Sequence, residues 1–207
     1  MKIEMGESLI YSWLRHEKLC QLVQTNWKVS PFWELENRQE IEDLFVICRN
    51  YFLEKHSLDI SKGCSLEQFL KQAEIDGIGI AYSTEAPYIY AVDVAYHEGG
   101  LNYGGKDETI TKIAQKCIRT ALCLYGYFCM STGEVLFVSP KITPAIETAL
   151  VPLFDEISKL LHDNGLNIKA ILHCNDSFSS EDHLHSGRKG ISCGRHFRII
   201  HEGTSAL

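Results

Sequence analysis

Two acids, Asp76 and Asp93, stand in neighbouring apolar runs, the first at the head of DGIGIAY and the second inside YIYAVDVAY. Carboxylate oxygens of this kind suit a hard divalent cation: Mg²⁺ is typically held by one or two of them, with water and phosphate oxygens completing the shell. The two acids meet only if the runs form a hairpin, because side chains alternate faces along a strand and neighbouring strands lie about 5 Å apart. Ile78, Ile80 and Tyr82 supply one strand, residues 83–87 a turn, and the aromatic and β-branched run at 88–96 the other. The second run is apolar on both faces, which predicts a central strand. An uncompensated carboxylate there would cost several kcal/mol, so Asp93 needs a cation, a hydrogen-bond network or a proton. A hydrogen-bonded structural aspartate at a strand end is the plain alternative to a metal ligand.

The elements that must position these acids belong to a chain of ordinary globular composition. Its 207 residues are 45% hydrophobic and 23% charged, enough for a sizeable core. No run of about 18 apolar residues predicts a membrane span, and MKIEMGES shows no secretory signal. The eight cysteines form no CxxC pair and several fall within helical patterns, which suits free thiols in a reducing cytoplasm. A net charge of −7 argues against indiscriminate polyanion binding, so a nucleic-acid site would be a local basic patch.

Helical spacing is predicted at 5–16, with Leu9, Ile10, Trp13 and Leu14 on one stripe, and at 36–55, with Ile41, Leu44, Phe45, Cys48, Tyr51 and Phe52 buried. A shorter helix at 65–73 opens with a capping box, Ser65 paired with Gln68. Longer helices follow at 109–130 and 144–162, and strands are predicted at 19–29, 134–139 and 167–174. Between the hairpin and the long helix lies the loop GGLNYGG. The order is that of an α/β domain with a mixed sheet and helices on both faces. It spans residues 1–175, with 176–207 as a loop-rich, basic C-terminal extension.

The order and the residues together resemble the PD-(D/E)xK nuclease superfamily, in the style of its Holliday-junction-resolvase-like branch. The family core runs α-β-β-β-α-β. Its members open a helix with Gly-Glu, end a strand near an Asn, and reach a Glu-Ile-Asp strand before the (D/E)xK strand; here stand Gly6-Glu7, Asn26, Glu74-Ile75-Asp76 and Asp93-Val94-Ala95. The resemblance implies a restriction-endonuclease-like three-layer α/β/α core with a helical insertion at about 36–71, after the first strand. It implies that Asp76, Asp93, the backbone carbonyl of Val94 and Glu7 bind Mg²⁺ or Mn²⁺. For Glu7 the plain alternative is a favourable partner of the helix dipole, and Glu74 is an alternative acid.

The chain departs from the family where the motif lysine belongs, at Ala95. That lysine orients or activates the attacking water. Alternation puts Asp93, Ala95 and His97 on one face, so His97 is one substitute; Lys112 and Lys116, one turn apart on the next helix, are the others. A solvated helix face is the plain reading of both lysines. Gln115 lies where related nucleases use a polar helix residue.

The implied function is a metal-dependent endonuclease acting on DNA, with a homodimer expected for cleavage of a duplex. Two other readings stand beside it. One is a catalytically inactive member of the fold that binds nucleic acid or a partner protein. The other is an unrelated zinc-dependent hydrolase built on His173, Cys174, His183, His185, Cys193 and His196, whose spacings match no common zinc module. Arg188, Lys189, Arg195 and Arg198 make the C-terminal segment the most basic, and so a candidate phosphate-contacting surface.

Overall fold

The computed structural model describes residues 2–82, 86–95 and 100–175. In chain order the elements are α1 (Lys2–His16), β1 (Leu22–Lys28), α2 (Arg38–His56), α3 (Leu66–Lys71), β2 (Glu74–Tyr82), β3 (Pro87–Val94), α4 (Lys106–Phe128), β4 (Thr132–Ser139), α5 (Pro144–Asp163) and β5 (Asn167–Cys174). The strands form one mixed sheet in the order β1-β2-β3-β4-β5, antiparallel from β1 to β3 and parallel from β3 to β5. β3 is central, as its two-sided apolar pattern requires.

Each face of the sheet carries its own apolar cluster. On one face Ile10 and Leu14 of α1 pack with Val92, Leu136 and Val138. On the other, Ile78, Ile80, Ile89 and Ala91 meet α2, α4 and α5 through Ile41, Phe52, Ile113, Cys117, Leu150 and Phe154. The result is an α/β fold with helices on both faces of the sheet. α2 and α3 intervene between β1 and β2, where a helical insertion is expected.

Local chemistry sets the element ends. α3 begins with the expected capping box: the Gln68 N–H donates to Ser65 Oγ at 3.3 Å and the Ser65 N–H to Gln68 Oε1 at 3.2 Å. β1 starts later than the predicted 19, because Leu19 turns the chain out of α1 in the left-handed region at φ 54°. α4 starts earlier than the predicted 109: Gly105 caps it in extended conformation, and Asp107 and Glu108 fill its first turn, where the helix dipole favours acids. The described cysteines are free thiols. Among the described residues no helix is long and apolar enough to cross a membrane. The C-terminal extension, with its basic cluster Arg188, Lys189, Arg195 and Arg198, lies outside the described residues.

α1 sits close against the sheet because β2 offers it two glycines. A Cβ on Gly77 would stand 2.7 Å from Ile10 Cγ2, and one on Gly79 would stand 2.7 Å from Cys20 Sγ and 2.9 Å from Leu14 Cδ2. This approach brings the N-terminal half of α1, with Glu7, to the end of β2 that carries Asp76.

Candidate active site

The hairpin register places the two aspartates side by side. Gly77 pairs with Val92, and the same register carried one residue further sets Asp76 opposite Asp93. Asp76 then shares the α4-facing side of the sheet with Ile78 and Ile80, and Asp93 shares it with Ile89 and Ala91. Asp76 Oδ2 accepts the Val94 N–H at 2.6 Å. The N–H and C=O of one residue point to the same side of an extended strand, so the Val94 carbonyl is also turned toward Asp76, while the Ala95 N–H turns the other way and bonds Val138 O on β4.

Asp93 is 2% exposed. Its charge is met from α4: Lys116 Nζ donates to Oδ1 at 3.0 Å and Thr120 Oγ1 to Oδ2 at 3.3 Å. Lys116 and Thr120 lie one turn apart, so a single stripe of α4 addresses both oxygens. Ala95, where the PD-(D/E)xK pattern would carry a lysine, is buried. An amine from the following helix therefore reaches the acid that the tripeptide itself leaves without one.

Glu7 approaches by a different route. Asn26 Nδ2 donates to Glu7 Oε2 at 3.0 Å. Asn26 stands in β1 between the pairs Thr25↔Gly77 and Trp27↔Ile75, level with Asp76, and has φ 54°. The left-handed region is tolerated by Asn better than by most residues. Trp27 and Ile75, the pair that follows Asn26, both lie in the larger core. Strain of this kind persists where surrounding structure enforces it.

The electrostatics follow from this grouping. Burial pushes the Asp76 carboxyl up to about 6; the Val94 N–H and Lys116 oppose the rise, and the Asp93 and Glu7 charges add to it. Burial alone would lower the Lys116 ammonium, but the charge and hydrogen bond of Asp93 outweigh it and hold the group above its ordinary value. Lys116 is thus a cation at neutral pH.

The remaining predicted residues divide. Lys112 does not reach the aspartates: its Nζ donates to Tyr103 O at 2.9 Å and pairs with Glu108 at 3.0 Å. Gln115 is buried on α4 beside Lys116. Glu74 is exposed and pairs with Lys28 at 2.7 Å. His97 lies outside the described residues, as do His183, His185, Cys193 and His196. His173 and Cys174 are adjacent in β5, so their side chains point to opposite faces, and Cys174 Sγ contacts Glu147 at 3.5 Å. Sequence reasoning missed Thr120, whose spacing of four from Lys116 was the available signal, and the link from Asn26 to Glu7.

Among the described residues no three His, Cys, Asp or Glu side chains are gathered closely enough to enclose a metal ion as they stand. The donor types are those a hard cation takes, since carboxylate and carbonyl oxygens are the usual protein share of a Mg²⁺ shell, while each Asp93 oxygen as it stands accepts a hydrogen bond from α4. The charges of Asp93, Glu7 and Lys116 all act on Asp76, which groups three acids and one ammonium in one locality. Compared with models of protein families, with curated proteins and with solved structures, the chain matches none.

Proposed function

We propose that the protein is a metal-dependent nuclease of the PD-(D/E)xK type, hydrolysing phosphodiester bonds of DNA. The observation that carries this reading is the Lys116 ammonium at 3.0 Å from Asp93 Oδ1, beside Asp76, with Ala95 in the place of the motif lysine. The element order α1-β1-β2-β3-α4-β4, with α2 and α3 inserted after β1, supports it by following the family's core order.

Asp76, Asp93 and the Val94 carbonyl would hold Mg²⁺ or Mn²⁺, with Glu7 binding directly or through water. Such an ion, when bound, polarises the scissile phosphate and lowers the pKa of a coordinated water. Lys116 is kept charged by Asp93, so its part is to donate hydrogen bonds to the attacking water and to the phosphate oxygens as negative charge develops, rather than to abstract a proton. Asp93, itself held by Thr120, fixes the direction of the ammonium. Asn26 holds the Glu7 carboxylate toward Asp76 and limits its rotamers. Cleavage of both strands of a duplex would call for two copies of the chain.

Incubation of the protein with linear, branched and single-stranded DNA and with RNA, in Mg²⁺ or Mn²⁺, tests the proposal. Metal-dependent cleavage that disappears in Asp93→Ala supports it. Identical behaviour of wild type and Asp93→Ala on every substrate rejects it.

A further inference from the structure

Beside the aspartates, α4 and the end of α3 enclose a cleft of about 220 Å³ lined by Gln72, Tyr103, Lys112, Gln115, Lys116 and Arg119. Lys112, Lys116 and Arg119 follow helical spacing and present three cations to it. Arg119 is the anomaly. It is 8% exposed and forms no direct ion pair among the described residues, the Asp93 charge acting on it at longer range. Its one hydrogen bond runs from Nη1 to Gln72 Oε1 at 3.2 Å, and its guanidinium lies over the Phe69 ring at 5.4 Å. A guanidinium carries five N–H donors, and the bond to Gln72 uses one of them.

Gln115 repeats the pattern. It is also 8% exposed, and its amide makes no hydrogen bond to another described residue but is open to the cleft; among the described residues the sealed side-chain polar atom without a partner is Trp13 Nε1. The unused donors of both side chains therefore open onto the cleft, where a ligand that enters it can take them up. The ligand must accept several hydrogen bonds and carry negative charge. Phosphate does both, and arginine matches its geometry with two parallel N–H donors.

We propose that Arg119 and Gln115, with Gln72 facing them, form a subsite for a second phosphate of the substrate strand, adjacent to the one addressed by Lys116. The identity of the strand rests on the nuclease reading; the anion site rests on the cleft alone. The helical insertion then has a role at the site: Gln72, at the end of α3, orients the arginine from the opposite wall. The positioning also gives the strand a direction across the site, from the aspartates along α4.

The test uses the full chain with chelator present, so that cleavage does not intervene. Fluorescence anisotropy with a labelled oligothymidylate reads strand binding, and inorganic phosphate is titrated separately by ³¹P line broadening. Arg119→Gln is expected to weaken oligonucleotide binding about ten- to a hundredfold, the range for losing a charged hydrogen bond. It should also reduce the slope of log K against log salt by about 0.7. Gln115→Leu should weaken binding without changing that slope. Arg119→Lys keeps the charge and the stem over Phe69, so it should restore the slope but only part of the affinity; it carries the test if Arg119→Gln does not fold.

Unchanged affinity and slope in a folded Arg119→Gln protein would overturn the subsite and leave Arg119 as a clamp between α3 and α4. Phosphate binding without oligonucleotide binding would overturn the assignment to a strand. Arg119-dependent strand binding in a protein that cleaves nothing supports the subsite and rejects the nuclease. Metal-dependent cleavage with KM unaffected by Arg119→Gln does the reverse.

Discussion

Replacing Asp76 with Asn should make the protein more stable while removing a metal ligand. The raised pKa means that the folded state holds the Asp76 proton more tightly than the unfolded chain does. Stability therefore falls as pH rises between the ordinary value of 3.8 and about 6, and the loss is complete above that window. A shift of roughly 2 units corresponds to about 3 kcal/mol at 1.36 kcal/mol per unit. Partial exposure to water screens the carboxylate, which reduces the expected gain to about 1–2 kcal/mol. Asparagine keeps an oxygen for the Val94 N–H, so the strand end should not open. For a chain of this size the gain corresponds to a rise in Tm of about 3–6 °C. The assay is thermal unfolding followed by circular dichroism with chelator present, for both proteins, from about pH 4 to pH 8, the interval that brackets the window. The variant should melt higher at the alkaline end, and the gap should close toward the acid end. A variant no more stable than wild type above the window, or a gap independent of pH, would refute the claim that Asp76 is an ionised group held at a cost.

The ion pair at the base of the site should be strongly coupled: Lys116→Met leaves Asp93 buried with only Thr120 and should cost about 2–4 kcal/mol. The double variant Asp93→Asn/Lys116→Met should recover much of that loss in urea titrations. Gly79→Ala should destabilise by about 1–3 kcal/mol, because its Cβ would meet Cys20 and Leu14 and push α1 outward. Asn26→Gly should keep the left-handed backbone and lose only the Glu7 contact, whereas Asn26→Ala should lose both; comparison of their melting temperatures separates strain from hydrogen bonding.

Patterning makes much of the fold legible in the sequence. The capping box at Ser65, the two-sided apolar run of β3 and the span of β5 follow from local chemistry that tertiary contacts did not override. The pairing of Asp76 with Asp93 was equally legible, because hairpin register converts positions on two strands into proximity. Lys112 and Lys116 could not be told apart by spacing alone. They share a stripe of α4, and packing decides between them: Tyr103 and Glu108 take the first, and Asp93 the second. Arg119 was invisible for a different reason. An arginine on an amphipathic helix reads as solvated, and only the docking of α3 across α4 buries it. The close seat of α1 on Gly77 and Gly79 also depends on long-range approach, since a glycine in a strand pattern equally signals a bulge.

Calorimetric titration of Mn²⁺ into the metal-free protein tests the central claim most directly. Wild type should show saturable heat, released with protons below about pH 6, where Asp76 is protonated before the metal arrives. That heat should vanish in Asp76→Asn and in Asp93→Asn, each still folded. An isotherm unchanged by both substitutions, or no saturable heat in wild type, would contradict the account.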